Sequence, residues 1–311
     1  MDGNTVRNVK VQSESMNLVA KRNIIFFLLS LLALGMIFGP LKNLLRTTEH
    51  GEYYSHILLI PLVSGYFIYA KRKTLSSNLG HSYFPGSVLL LIGILFCLVA
   101  RDQRAQLNLN DTASLMVFSA IIFWIGGILL LYGTNTFREI FFPLAFLVFM
   151  IPIPSVLMHE IVSLLQTASA EVTQWLFMLA GVPFSRQGFV FHLAGMSIEV
   201  AEACSGIRSG LALFIVSIIA GYLFLRPNWK RVVFSLSVIP ITIFKNGVRI
   251  VTLALLGVYV DPRIFEGELH KKGGILFFVL ALGLLSLVLW VLRRSDTEKV
   301  GRGYFLFFLF L

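Results

Sequence analysis

The sequence predicts an all-α polytopic membrane protein of about eight transmembrane helices, with a small extracytoplasmic cap containing an amphipathic helix and a β-hairpin. Three observations carry that expectation. Of 311 residues, 57% are hydrophobic and only 14% charged, with a mean hydropathy of +0.82, which exceeds what a water-soluble core needs. The apolar residues gather in stretches near the roughly 20 residues that cross a bilayer as a helix. Basic clusters stand at the ends of these stretches, as cytoplasmic loops require.

The stretches lie at 24–38, 57–70, 86–100, 113–132, 140–158, 207–225, 232–260 and 275–292, the second and third being short. They divide the chain into a cytoplasmic tail at 1–22, one integral membrane domain at 23–293 with its outer cap at about 154–203, and a C-terminal tail at 294–311. The first stretch follows Lys21 and Arg22 and has no small-residue cleavage site before Pro40, so it reads as an uncleaved anchor. The apolar tail 304–311 is too short to cross a bilayer.

Net charge is +10, from 26 basic and 16 acidic residues. Its placement argues for a membrane and against nucleic acid. With the N-terminus inside and eight spans, Lys21 and Arg22, Lys71 to Lys73, Arg226 with Lys230 and Arg231, and Arg293 and Arg294 all fall on the cytoplasmic side. Arg46, Arg101, Arg104, Lys271 and Lys272 fall outside and weaken the bias without reversing it. The location that follows is the cell (inner) membrane, with both termini cytoplasmic.

Segment 161–182 is long enough to span, yet it carries Gln166, Thr167, Ser169, Glu171, Thr173 and Gln174 through its middle. It reads as an amphipathic helix resting on the outer surface. Were it to span, Cys204 would become cytoplasmic and the Arg226 and Arg293 clusters would face out. Beyond it, Phe189, Phe191 and Leu193 alternate with other residues, as do Met196, Ile198 and Val200. Period two on both sides of Ala194 and Gly195 predicts a hairpin.

There are two cysteines, so a disulfide framework is excluded. Cys97, inside an apolar stretch, reads as a small buried residue, and Cys204 taken alone could be the same. Its surroundings differ, however. Cys204 stands at a predicted helix start, where partial positive charge favours the thiolate. Ser205 and Gly206 permit close backbone approach, and Glu202 and Arg208 bring charge beside it.

A nucleophilic thiol needs a proton-handling partner and a group for the oxyanion. Arg249 interrupts an apolar helix, where an unpaired guanidinium is costly; the bland alternative is a snorkelling anchor. Asn246 is one turn earlier on the same face and could orient Arg249 or a substrate carbonyl, whereas Lys245 is read as off that face and snorkelling. His270, in a polar loop before the last stretch, has the side chain suited to proton exchange near neutrality. His50, His56, His159 and His192 are also predicted outside, with His192 the best rival, while His81 is on the other side. Measured from the inner boundaries, Arg249 stands at roughly 27 Å, Cys204 at roughly 32 Å and His270 at roughly 34 Å for a helical rise of about 1.5 Å per residue. The three meet in one outer-leaflet plane.

These residues resemble the exosortase and archaeosortase group of membrane transpeptidases, across most of the chain. The likeness rests on Cys-Ser-Gly at 204–206, Asn-x-x-Arg-Ile at 246–250 and a histidine before the final span at His270. It extends to Tyr54, Ser55 and His56 ahead of a short apolar run ending at Lys71 and Arg72, and to Ile151 to Pro154 leaving the fifth span. It implies Cys204 as nucleophile, Arg249 as oxyanion ligand and His270 as acid and base. It also implies membrane-anchored substrate proteins with C-terminal sorting signals, a thioester intermediate, and no metal or organic cofactor. Arg208 at a variable place and the lack of an appended soluble domain leave the preferred sorting motif open. Two other classes fit parts of the sequence: a transporter or assembly component of an envelope polysaccharide system using Arg249 for an anionic group, and a membrane acyltransferase using the same thiol on lipid.

Overall fold

The computed structural model describes residues 3–46, 55–72, 80–103, 106–202, 205–261 and 274–294. The chain divides into two compact units, Met1–Ser155 and Val156–Leu311.

The first unit is helical. Its elements are α1 (Gly3–Arg46), a 3₁₀ turn (Ser55–Leu58), α2 (Leu59–Ala70), α3 (Tyr83–Asp102), α4 (Leu109–Glu139), α5 (Phe141–Phe146) and a second 3₁₀ turn (Leu147–Met150). Helix α4 is central and packs on α1 and α3. The α3–α4 seam is built on glycine. A Cβ at Gly86 would lie 2.5 Å from the backbone nitrogen of Leu130, one at Gly93 2.7 Å from Phe123, and one at Gly126 2.7 Å from the nitrogen of Leu90. Small residues let the two backbones touch where lipid offers no hydrophobic drive for association. Gly133 (φ 80°, ψ 174°) breaks α4 in a conformation other residues avoid.

The stretch 140–158, expected to be one span, is not a continuous helix. Its helical turns stop at Met150, and the segment from Ile151 to Pro154 runs without helical structure, since proline removes donors and disfavours helix in the residue before it. The start of α4 satisfies the exposed backbone. Ser114 Oγ donates to the Pro152 carbonyl at 2.7 Å, Asn110 Nδ2 to the Ile153 carbonyl at 2.8 Å, and the Ser155 N–H to Asp111 Oδ1 at 2.6 Å. Asn108 caps the same helix by accepting from the Asp111 N–H at 2.7 Å.

The second unit comprises α6 (Ser155–Leu179), strands β1 (Ser185–Gln187), β2 (Val190–Leu193) and β3 (Met196–Glu199), then α7 (Ile207–Phe224), α8 (Asn228–Leu236), α9 (Val238–Tyr259) and α10 (Gly274–Arg294). The predicted hairpin is present as β2 and β3, paired Val190 to Glu199 through Leu193 to Met196, with Gly195 at φ 85° in the turn. A third antiparallel strand, β1, joins its edge. Phe191 and Val200 are buried with Ala170 and Phe177 of α6 and Ile250, Val251 and Ala254 of α9. One face of the sheet thus closes the α6–α9 core.

Helix α6 carries polar residues on its buried face. Gln166, Ser169 and Thr173 are buried, at the spacing of one helical face, while Leu164, Trp175 and Leu179 are exposed. The buried face also holds Leu165, Ala170 and Phe177, and the exposed side Ser163, Thr167 and Glu171, so both faces are mixed.

Six described helical stretches are long and apolar enough to cross a membrane: Val19–Leu44, Tyr83–Asp102, Leu109–Glu139, Ile207–Phe224, Asn228–Tyr259 and Gly274–Arg294. The number is seven if Phe141–Met150 and Ser155–Leu179 form one bent span. This is a polytopic membrane architecture in which, among the described residues, six or seven of the eight expected spans qualify by length and composition. The proline break divides 140–158, and 57–70 forms only the 12-residue α2.

Candidate active site

The site residues that the structure describes lie in the second unit. Cys204 and His270, the expected nucleophile and base, lie outside the described residues.

The chain reaches the Cys-Ser-Gly turn along α6. Gln166 Nε2 donates to the Val200 carbonyl at 2.6 Å, and the Ser205 N–H donates to the Glu202 carbonyl at 3.0 Å. Glu202 is exposed and Ser205 fully buried. The Ser205 Oγ has no hydrogen-bond partner among the described residues. Gly206 then takes φ 83°, ψ 7° as the N-cap of α7, a left-handed conformation that glycine adopts without a Cβ penalty.

Gly206 brings the two motifs together. A Cβ there would sit 3.3 Å from Cγ and 3.4 Å from Oδ1 of Asn246. One turn along, a Cβ on Gly210 would sit 2.9 Å from Thr242 Cγ2. Gly206 and Gly210 are four apart, as are Asn246 and Thr242 in the reverse sense, so α7 and α9 run antiparallel along a small-residue seam. On its other side α9 meets α6: a Cβ on Gly247 would fall 2.6 Å from Val172 Cγ1.

Asn246, fully buried, sits in this junction and donates from Nδ2 to Ser169 Oγ at 3.1 Å. Thr173 Oγ1 donates to the Ser169 carbonyl at 2.7 Å. Lys245 is 2% exposed and does not snorkel. Its Nζ donates to Ser209 Oγ at 2.6 Å, and that hydroxyl donates to the Gly206 carbonyl at 3.0 Å. The ammonium thereby ties α9 to the first turn of α7. Its neighbour by helical repeat is Arg249, half-buried four residues on, so two cations stand one turn apart. Arg208 is exposed on α7.

Among the rival histidines, His192 pairs its Nδ1 with Ser197 Oγ at 2.8 Å. It follows the buried Phe191 and so points to the opposite face of the strand. His159 and His81 are exposed, and His56 is in the first unit. Lys245, Ser209, Ser169 and Gln166 were not singled out by their residue types. The legible signals were the four-residue step from Lys245 to Arg249 and the 166, 169, 173 spacing.

At the far end of α7 the basic residues gather. Arg231 Nε donates to the Leu225 carbonyl at 2.7 Å, Lys230 Nζ to the Leu292 carbonyl at 3.0 Å, and the Arg293 guanidinium lies 5.8 Å from the Phe224 ring. Cations on carbonyl ends of helices complement the helix dipole. Gly206 and this cluster are separated by the 18 residues of α7, about 27 Å of helix.

No curated protein and no solved structure matches the chain. A family model described as Transmembrane exosortase (Exosortase_EpsH) matches residues 45–287. That span takes in the glycine-mediated junction of α6, α7 and α9 together with Cys204 and His270, and the chain belongs to the transmembrane exosortase family.

Proposed function

We propose that this protein is a membrane-embedded cysteine transpeptidase that cleaves C-terminal sorting signals of exported proteins and passes them to an acceptor amine or to water. Family membership supports the reaction class. The single observation that carries the site is the contact between the Gly206 turn and Asn246, because it sets the residue following Cys204 and Ser205 against the helix that bears Arg249.

In this reading the Cys204 thiolate attacks the scissile carbonyl carbon. Arg249 and backbone N–H groups near the start of α7 stabilise the tetrahedral oxyanion. The C–N bond breaks, His270 gives its proton to the departing amine, and a thioester remains on Cys204. An acceptor amine or water then attacks the thioester while His270 takes up its proton, releasing the thiolate. Asn246 holds the turn in register, and Lys245 braces it through Ser209. With the Arg231 and Arg293 cluster on the cytoplasmic side, the Gly206 end of α7 faces out, where an exported substrate would present its cleavage site. Confinement of both partners at one depth raises their effective concentration.

The test is to trap an adduct between Cys204 and a membrane-anchored protein tail and sequence the attached peptide by mass spectrometry. A peptide ending at the cleaved residue in thioester linkage is the expected result; cleavage that survives in Cys204→Ala refutes the reading. Arg249→Lys should also fail, since an ammonium lacks the planar fork of donors. The buried Lys245 and neighbouring Arg249 favour one second reading, an anion-binding component of an envelope polysaccharide system. That protein would keep working after alkylation of Cys204.

A further inference from the structure

The first unit holds a cavity of about 840 Å³ lined by α1, α2, α4, Ile140 and the second 3₁₀ turn, with Arg72 just beyond α2. We propose that it is a binding site for one anionic glycerophospholipid, with the headgroup at Arg22 and Arg72 and acyl chain running toward Ile37 and Met150. The proposal is independent of the transpeptidase reading.

The cavity is chemically graded along its length. Toward one end Ile37, Pro61, Val117, Leu147 and Met150 form an apolar wall. The polar groups partway down are already satisfied inside the protein. Ser64 Oγ donates to the Pro143 carbonyl at 2.8 Å, Trp124 Nε1 to Ser30 Oγ at 2.9 Å, and Ser30 Oγ to the Phe26 carbonyl at 2.8 Å. Such a wall asks nothing of an occupant except apolar surface.

At the other end the demand reverses. Thr136 lines the cavity, is 6% exposed, and its Oγ1 has no hydrogen-bond partner among the described residues. Arg72 lines the mouth, its guanidinium 3.8 Å from the Tyr69 ring. The Arg22 guanidinium lies 5.1 Å from the ring of Tyr132, another lining residue, and its Nε is buried without a hydrogen-bond partner among the described residues. Among the described residues neither arginine is paired with a carboxylate. Two cations beside an unmet hydroxyl at the rim of an apolar cavity match a phosphodiester joined to acyl chains. The same end carries the Lys21, Arg22, Lys71 and Arg72 charges that the charge rule assigns to the cytoplasmic leaflet, where anionic lipid is concentrated.

Dimensions agree. From Asn23 to Ile37 along α1 is about 21 Å at the helical rise, somewhat more than the roughly 15 Å of one leaflet's hydrocarbon.

The test uses the purified full chain, stripped of lipid in detergent and offered palmitoyl-oleoyl phosphatidylglycerol and phosphatidylcholine in equal amounts, with binding read by native mass spectrometry. One phosphatidylglycerol per chain is expected, preferred by about tenfold or more over phosphatidylcholine for two basic contacts. The double variant R22Q/R72Q, changed at the rim, should bind the two lipids equally. Ala120→Phe, which fills the cavity wall, should bind neither. Equal retention of both lipids by the parent chain, an unchanged preference in R22Q/R72Q, or a peptide rather than a lipid adduct on the stripped protein would overturn the proposal.

Discussion

Both units press helices together on glycine, and they do so to different ends. In the first, Gly86, Gly93 and Gly126 lie against backbone, leucine and phenylalanine, and hydrogen bonds join α3 to α4 only at its N-cap, Ser82, among the described residues. In the second, Gly206 and Gly210 lie against the polar side chains of Asn246 and Thr242, with Lys245, Ser209 and Ser169 linked around them. A close seam filled with hydrocarbon stabilises; one filled with polar groups also fixes their directions. Removing either kind of contact should therefore give different readouts.

The largest effect expected is from Cys204→Ala: loss of substrate processing by at least about a thousandfold, in the range found for removal of a nucleophile, with unchanged insertion and thermal midpoint in detergent. Asn246→Ala comes next. It should lower processing about a hundredfold, as loss of one well-placed polar group in an active site does, while the thermal midpoint falls only modestly. Gly86→Val makes the opposite pattern: its side chain collides with the Leu130 backbone, at a cost of about 1–3 kcal/mol or more, seen as a lower midpoint with normal activity in the folded fraction. If Gly86→Val instead silences the folded protein, or Asn246→Ala unfolds it, the contrast between the seams fails.

Smaller effects sharpen the contrast. Lys245→Met and Ser209→Ala should each reduce turnover by about tenfold, and the double variant should be little worse than either, because both act on the Gly206 carbonyl through one chain of hydrogen bonds. Additive losses would separate the two residues. Smallest is Arg186→Gln, which removes the 2.9 Å bridge to Glu171 and a 2.6 Å bond to Gln174. With Glu171 55% exposed, solvent screening holds the cost to within about 1 kcal/mol in a denaturation series.

Much of this was legible in the sequence where one residue type has one physical meaning. The alternating Phe189, Phe191 and Leu193 pointed to the strand, and Cys-Ser-Gly to the start of α7. Length was less informative. The run 140–158 is apolar throughout its first part, and hydropathy does not register that Ser114 and Asn110 wait to bind the carbonyls of a broken segment. Which face of α6 packs inward was not legible for a related reason: the pattern of a helix says that it has two faces, but not which one meets protein. Lys245 was read as an anchor because its acceptor, Ser209, is 36 residues away in the chain.

The partner of Asn246 on α6 is 77 residues upstream. During synthesis α6 therefore emerges long before α9 can cover Ser169 and Thr173. A nascent chain halted before Asn246 exposes that stripe to acyl chains, where polar side chains lack partners. Closure of the α6–α9 junction is consequently a late event in biogenesis.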